Sequence, residues 1–222
     1  MNIVEELTSE ERSVRVGAGK VALEGALSVP AGARGVVLFA HGSGSSRLSP
    51  RNRRVARVLR GVGLATLLFD LLTGEEEAED LHRGHLRFDM RLLSERLVGV
   101  TDWLRRQPDT SRLSIGYFGA STGAGAAIIA AAERPDVVSA IVSRGGRPDL
   151  AGPALLRVKA PTLLIVGGRD RAVIDINRDA LGRLKGEKEL VIVPGATHLF
   201  EEPGAIDEVA GRAADWCVKH LS

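Results

Sequence analysis

The sequence is poor in several residue types, and each shortage excludes a class of protein. It has one cysteine, Cys217, so no internal disulfide can form and a reducing, cytoplasmic compartment is expected. Aromatic residues make up only 4% of the chain, which leaves few side chains to stack on bases or sugars. No apolar run reaches the length of a membrane span, and the first twelve residues lack the features of a signal peptide. We therefore expect no membrane partner.

An excess of charge of one sign is also missing. The chain carries 30 Lys+Arg against 28 Asp+Glu, a formal net charge of +2, which is too balanced for a dedicated nucleic-acid binder. No cluster of His and Cys has the spacing of a metal site. We expect no nucleic-acid partner, no metal and no cofactor.

What the chain does have is enough apolar sequence for one core. With 222 residues and 44% hydrophobic residues, a single domain over residues 1–222 is the expectation. Short β-rich runs alternate with segments of helical periodicity, which predicts an α/β fold with a mostly parallel sheet and helices on both faces. The predicted strands are an N-terminal antiparallel hairpin, 13–16 and 21–29, followed by 36–40, 64–69, 113–118, 137–142, 161–166 and 190–193.

Helices are predicted between most of these strands. Ser49 and Pro50 have the residue types of an N-cap and a first helical position. An alanine-rich helix is predicted over 121–132, and the stripe from Ile206 to Trp216 predicts the last helix. The acidic segment 73–87 is interpreted as a surface loop or a short helix.

The most informative motif is Gly119-Ala120-Ser121-Thr122-Gly123, which matches G-x-S-x-G. It follows a predicted strand and precedes a predicted helix, the context in which such a turn exposes a serine hydroxyl. Ser121 is therefore a candidate nucleophile. The alternative is a glycine-rich turn that only lets a strand and a helix pack closely.

A serine nucleophile needs a base and a group that orients the base. Asp170 follows the strand 161–166, and His198 follows the strand 190–193, in the chain order Ser, Asp, His. The loops after parallel strands meet at one edge of a sheet, so these three residues are predicted to lie together. Asp149 is a competing acid, although it is better placed to cap a helix that starts at Leu150.

Backbone amides can stabilise an oxyanion at the same edge. The Thr122 N–H begins the helix after the nucleophile, and Ser43 lies in the glycine- and serine-rich loop after the strand 36–40. We expect these two amides to form the oxyanion hole. His41 is interpreted as a structural histidine that braces the loop.

Together these residues resemble the α/β-hydrolase superfamily over nearly the whole chain, and within it the dienelactone-hydrolase-like proteins. The stretch from His41 to Arg53 resembles a subgroup found beside or fused to phosphoribosyltransferase domains. The resemblance implies an α/β-hydrolase fold and a serine-hydrolase mechanism. Dienelactone hydrolases proper use a cysteine where this chain has Ser121, so the lactone substrate does not follow from the resemblance.

Eighteen residues separate Val142 from Pro161, too few for a cap domain, so a shallow, open pocket for small esters is expected. Four arginines fall in loops at this edge: Arg47, Arg144, Arg147 and Arg169. One hypothesis is that one or two of them bind a carboxylate or phosphate of the substrate. The other is an arginine-rich composition with ion pairs to the acidic segment.

The predicted function is a serine hydrolase that cleaves small carboxylic esters or lactones through an acyl-enzyme on Ser121. The same residues would also serve an acyltransferase, an amidase or a perhydrolase. A non-catalytic binding protein on the same scaffold is the alternative from another class.

Overall fold

The structure is a computed structural model that describes residues 11–221. The N-terminal segment 1–10, which contains most of the stretch in which no signal peptide is expected, lies outside the described residues. Within 11–221, no helix is both long enough and apolar enough to cross a membrane.

The described chain forms an eight-stranded sheet in the order β1-β2-β4-β3-β5-β6-β7-β8. β1 pairs with β2 and β2 with β4 in antiparallel fashion, whereas all later pairings are parallel. This confirms the predicted α/β fold with an antiparallel N-terminal edge. The strands are β1 (Arg12–Ala18), β2 (Val21–Ser28), β3 (Gly35–Ala40), β4 (Ala65–Phe69), β5 (Ser114–Ala120), β6 (Val138–Arg144), β7 (Thr162–Gly167) and β8 (Lys188–Val193).

Six α-helices in the described chain cover the sheet. They are α1 (Pro50–Gly61), α2 (Gly74–Arg83), α3 (Met90–Leu104), α4 (Thr122–Glu133), α5 (Arg171–Arg183) and α6 (Ala205–His220). Two 3₁₀ segments, Leu86–Phe88 and Pro148–Leu156, complete the connections. Ser49 caps α1 as predicted, since its side chain accepts a hydrogen bond from the Asn52 amide and Pro50 is the first helical residue.

The helices lie on two faces, and each face buries its own apolar core. Side chains of α1 and α6, such as Val55 and Val209, pack on one face. Side chains of α3, α4 and α5, such as Leu97 and Ala127, pack on the other. Cys217 is fully buried on α6, and this burial raises the pKa of its thiol to about 12. The thiol therefore stays protonated near neutral pH.

The acidic segment 73–87 contains the helix α2, so of the two predicted alternatives the short helix is confirmed. Thr73 and Glu76 form a reciprocal capping box at the start of α2, and Gly84 ends the helix in the left-handed region at φ 65°. The Asp80 carboxylate then accepts hydrogen bonds from Arg87 and from the Leu86 amide. Burial alone would raise the pKa of Asp80, but these hydrogen bonds outweigh it and lower the pKa.

Candidate active site

Ser121 stands at the turn between β5 and α4 in a conformation that side chains rarely adopt. Its φ is 50° and its ψ is −122°, and Phe200 is the other non-glycine residue of the described chain with a positive φ. Two backbone hydrogen bonds hold this turn. The Ser121 amide donates to the Arg144 carbonyl, and the Ser121 carbonyl accepts from the Arg147 amide. A strained turn held in this way presents its side chain at the edge of the sheet.

The glycines around Ser121 are required by close packing. A Cβ on Gly119 would lie 2.4 Å from the Ala124 Cα, and one on Gly123 would lie 2.2 Å from the Ala40 carbonyl oxygen. Any side chain at either position would push α4 away from β5 and β3. The motif therefore allows the helix to begin directly against the sheet.

The Asp170 and His198 loops meet at the same edge. His198 Nδ1 and Asp170 Oδ2 lie 2.6 Å apart, which is a short hydrogen bond. Asp170 occupies the N-cap position of α5, but its side chain makes no capping bond and is turned to the imidazole instead. The 16% exposure of the Asp170 side chain contrasts with 40% for His198, so the acid is shielded while the ring remains accessible.

Close backbone packing fixes the two loops against each other. The Arg169 amide donates to the Ala196 carbonyl at 2.9 Å, and a Cβ on Gly167 would lie 2.5 Å from the same oxygen. The Thr197 amide donates to the Glu202 carboxylate at 3.0 Å, which ties down the turn that carries His198.

Gly145, which follows β6, lies between the turn that carries Ser121 and the loop that carries His198. The Arg144 carbonyl accepts from the Ser121 amide, and a Cβ on the next residue, Gly145, would lie 3.6 Å from His198 Cε1. No hydrogen bond joins the Ser121 hydroxyl to His198 among the described residues. Such bonds are often long before a substrate is in place and shorten in the reacting complex.

Asp149 is engaged elsewhere. Its carboxylate receives two hydrogen bonds from the Arg147 guanidinium, at 2.8 and 2.7 Å. The hydrogen bond from Arg147 lowers the pKa of Asp149, and burial opposes this effect. The prediction that Asp149 caps a helix starting at Leu150 is wrong, because the residue lies inside the 3₁₀ segment and Arg147 holds the N-cap position.

Ser43 and Thr122 are in direct contact. The Ser43 amide donates to the Thr122 hydroxyl at 2.9 Å, so the loop after β3 is bonded to the first residue of α4. The amide of Thr122 lies at the first helical position, where it has no intrahelical acceptor. Gly42 brings the two segments together, since a Cβ there would lie 3.0 Å from the Ser121 Cβ.

His41 braces the loop from below. Its Nε2 accepts from the Leu71 amide at 3.1 Å, which requires that atom to be unprotonated, so Nδ1 carries the hydrogen and donates to the Gly42 carbonyl. Burial lowers the pKa of His41, while the hydrogen bond to Gly42 opposes the shift. The histidine is thus a neutral structural group, as interpreted from the sequence.

A cavity of about 130 Å³ opens beside Ser43 and Thr122. Its apolar wall includes Leu71, Leu72 and Leu93, whereas α2 contributes Glu77, Asp80 and Leu81. The β6–β7 connection is short, as predicted, and contains the 3₁₀ segment Pro148–Leu156. The acidic segment folds into α2, and α2 walls the cavity on one side.

The four arginines at this edge have different partners, and none of them pairs with the acidic segment. Arg47 pairs with Asp70, and Arg147 pairs with Asp149. Arg169 is exposed and makes no ion pair within the described chain. Arg144 is only 7% exposed and has neither a hydrogen bond nor an ion pair from its side chain to any described residue.

Comparison with known proteins supports the fold described above. The profile of the dienelactone hydrolase family matches residues 23–221, so the chain belongs to that family and has the α/β-hydrolase fold. A dienelactone hydrolase from Anabaena variabilis ATCC 29413 superposes with a TM-score of 0.95 at 63% identity, covering 96% of this chain and 99% of that one. Est1E from Butyrivibrio proteoclasticus shares the fold at 16% identity, with a TM-score of 0.78 over 93% of this chain and 98% of that one.

A longer relative carries a different name. The Mycobacterium tuberculosis protein named "Putative phosphoribosyl transferase Rv0571c" is 59% identical over 211 residues. The match covers 95% of this chain and 47% of that protein, so the chain spans about half the length of this curated relative.

Proposed function

We propose that the protein is a serine hydrolase that cleaves small carboxylic esters or lactones through an acyl-enzyme on Ser121. The observation that carries the proposal is the 2.6 Å hydrogen bond between His198 and Asp170 at the sheet edge where the strained Ser121 stands. A shielded acid, an accessible imidazole and a serine at a sharp turn are the parts that acyl transfer requires.

The first half of the reaction forms the acyl-enzyme. His198 Nε2 takes the proton of the Ser121 hydroxyl, and the oxygen attacks the carbonyl carbon of the ester. Asp170 accepts the Nδ1 hydrogen bond, holds the required tautomer and stabilises the imidazolium that forms. The imidazolium then gives its proton to the departing alcohol as the ester C–O bond breaks.

The second half repeats these steps with water. His198 removes a proton from the water, the hydroxide attacks the acyl carbon, and the proton returns to Ser121 as the carboxylic acid departs. In each half the carbonyl oxygen carries negative charge in the tetrahedral state. The Thr122 amide, at the positive end of α4, and the Ser43 amide are the proposed donors to that oxygen.

The cavity beside the proposed oxyanion donors supports a small, uncharged substrate group on that side. Its lining contains the carboxylates of Asp70, Glu77 and Asp80 and a single arginine, Arg87. Arg47 pairs with Asp70 and Arg87 pairs with Asp80, so the described lining offers no free cation to bind a polyphosphate, which a phosphoribosyl donor would bring. We therefore propose that this chain corresponds to the hydrolase part of its longer relative and does not itself transfer phosphoribosyl groups.

Replacement of the nucleophile tests the proposal. We expect Ser121→Ala to lower kcat/KM for p-nitrophenyl butyrate by at least about 10³-fold, because no acyl-enzyme can form. The measurement is the release of p-nitrophenol by the purified chain, with a small lactone assayed in parallel.

The matched control is Ser46→Ala, a serine whose hydroxyl only accepts a hydrogen bond from the Leu48 amide in a loop turn. This variant should retain most of the activity. Equal rates for the wild type and Ser121→Ala would show that Ser121 is not the nucleophile.

A further inference from the structure

Arg144 is a buried cation without a counter-ion. It is the last residue of β6, its side chain is 7% exposed, and its Nε has no hydrogen-bond partner. Burial, together with the smaller effect of the nearby Arg51 charge, lowers the pKa of Arg144 to about 10. The guanidinium therefore remains protonated at neutral pH. An unpaired buried charge is costly, and arginine side chains are rarely buried to this extent unless they are paired.

The surroundings of Arg144 supply a second cation and an aromatic ring. Its Cζ lies 5.7 Å from the centre of the Phe200 ring, a weak cation–π contact that offsets little of the cost of burial. Arg51 extends from the first turn of α1, and its Nε is also buried and unpartnered. The Nη1 of Arg51 pairs at 3.0 Å with Glu201, whose side chain is 64% exposed, so this pair lies at the surface.

The position of Arg144 relates this site to the reacting groups. The carbonyl of Arg144 accepts from the Ser121 amide, and the next residue, Gly145, packs against the backbone and ring of His198. A Cβ on Gly145 would also lie 3.4 Å from the Phe200 ring. The guanidinium thus lies beside the loop that carries His198. Arg144 is not among the residues that line the cavity of Asp70 and Glu77.

We propose that Arg144, assisted by Arg51, binds an oxyanionic group, a carboxylate or a phosphate, that the substrate carries. The inference rests on the proposed hydrolase function and extends it, since it names the substrates as esters with an anionic group. A planar guanidinium matches a carboxylate or phosphate through two parallel hydrogen bonds, and a dry site strengthens both. The preferred substrate would place its uncharged part in the cavity and its anionic part at Arg144.

Anion binding can be measured without any hydrolysis. Thermal unfolding is followed in sodium phosphate, in sodium glutarate and in sodium chloride at equal ionic strength. The wild type should gain a few degrees in Tm with phosphate or glutarate over chloride, because ligands that bind only the folded state stabilise it. Arg144→Met should lose this gain, and in chloride its Tm should equal or exceed that of the wild type, because an unpaired buried charge is gone.

Arg169→Met is the matched control, because Arg169 lies at the same sheet edge but is exposed. It should keep the wild-type response to both anions. A wild-type anion response that survives in Arg144→Met overturns the proposal, and so does an absence of response in the wild type. A fall in the Tm of Arg144→Met in chloride would assign the arginine a packing role and contradict the proposal as well.

A kinetic comparison tests whether the anion belongs to the substrate. We compare kcat/KM for mono-p-nitrophenyl glutarate with kcat/KM for p-nitrophenyl pentanoate. The ratio of the two should decrease by roughly tenfold to a hundredfold in Arg144→Met, which is the contribution of a charged hydrogen bond. Arg144→Lys keeps the charge but not the paired donors, so its ratio should lie between those of the wild type and Arg144→Met. An unchanged ratio beside a lost thermal response would mean that the site holds a free ion, which contradicts the substrate assignment.

The two proposals fail separately. If no ester is cleaved but the anion response depends on Arg144, the hydrolase proposal fails while the anion site stands. If esters are cleaved through Ser121 but neither response depends on Arg144, only the anion site fails.

Discussion

Thr122 carries two groups that act at the same place, an amide at the first position of α4 and a hydroxyl that accepts from the Ser43 amide. The hydroxyl holds the loop after β3 at a fixed distance from the helix. The two proposed oxyanion donors, Ser43 and Thr122, are therefore coupled through one side chain. When the oxyanion forms, the Ser43 amide must turn toward it or share its hydrogen between two oxygens.

This coupling predicts a specific effect of Thr122→Val. Valine keeps the shape of threonine but leaves the Ser43 amide without its acceptor, so the loop is less firmly placed. We expect kcat/KM for p-nitrophenyl butyrate to fall roughly tenfold to a hundredfold, somewhat less than the loss of one complete oxyanion donor.

Thr122→Ser keeps the hydroxyl and should stay close to the wild type in the same assay. Full activity in Thr122→Val would show that the hydroxyl does not position the loop.

His41 is a second residue whose protonation matters. The folded protein holds it neutral, with Nε2 accepting from the Leu71 amide, and its pKa is lowered. The unfolded chain takes up a proton below about pH 6.5, the ordinary histidine value. Below that pH the unfolded state binds more protons than the folded state, so stability falls as the pH falls.

The measurement is the free energy of unfolding by urea at pH 7.5 and at pH 5.5. His41→Gln should lose less stability than the wild type between the two values, although His220, whose pKa is also lowered, keeps part of the effect. His82→Gln, an exposed change on α2, is the control and should behave as the wild type. Equal losses in the wild type and His41→Gln would contradict the account of His41.

At the scale of elements, the start of α4 depends on the absence of side chains at Gly119 and Gly123. The 2.2 Å distance from a Cβ on Gly123 to the Ala40 carbonyl involves backbone on both sides, so no side-chain rotation can relieve it. We expect Gly123→Ala to lower the free energy of unfolding by at least about 3 kcal/mol.

Gly182→Ala in α5 is the matched control, because nothing lies within 4 Å of a Cβ there. It should raise the free energy of unfolding by about 0.5–1 kcal/mol, the gain of alanine over glycine in a helix. Both values come from chemical denaturation. A Gly123→Ala protein as stable as the wild type would show that α4 can shift without cost.

The sequence was sufficient to predict the elements whose signals are local and strong. Apolar runs gave the parallel strands to within about two residues of their observed ends, and the glycine spacing around Ser121 identified the turn. The sequence predicts α2 less clearly. The only buried residue of this helix is Asp80, so α2 has no apolar stripe. The Thr73 and Glu76 capping box and Gly84 were the signals that could have defined it.

The sequence alone does not predict contacts between residues that lie far apart in the chain. The Ser43–Thr122 hydrogen bond joins residues 79 apart in the chain, and the isolation of Arg144 depends on which carboxylates lie near it in space. From the sequence alone, the four arginines at the sheet edge are equally good candidates for binding an anionic group of the substrate. The structure separates them because Asp70 and Asp149 pair with two of them and Arg169 is exposed.

At the scale of the whole molecule, sheet order explains why three loops that are distant in the chain share one edge of the sheet. β5, β6, β7 and β8 are consecutive and parallel, so the turns that carry Ser121, Asp170 and His198 all leave the same edge. The match to the dienelactone hydrolase family spans residues 23–221, a range that includes all three residues. We propose that the groups at this edge make Ser121 a nucleophile.

Covalent labelling shows directly whether Ser121 is an activated nucleophile. A fluorophosphonate reacts with a serine that a neighbouring base activates, and intact-mass and peptide mass spectrometry locate the adduct. We predict one adduct per chain, on the peptide that contains Ser121, with labelling abolished in Ser121→Ala and strongly slowed in His198→Gln. An unlabelled wild type, or an adduct on any other residue, would contradict the account.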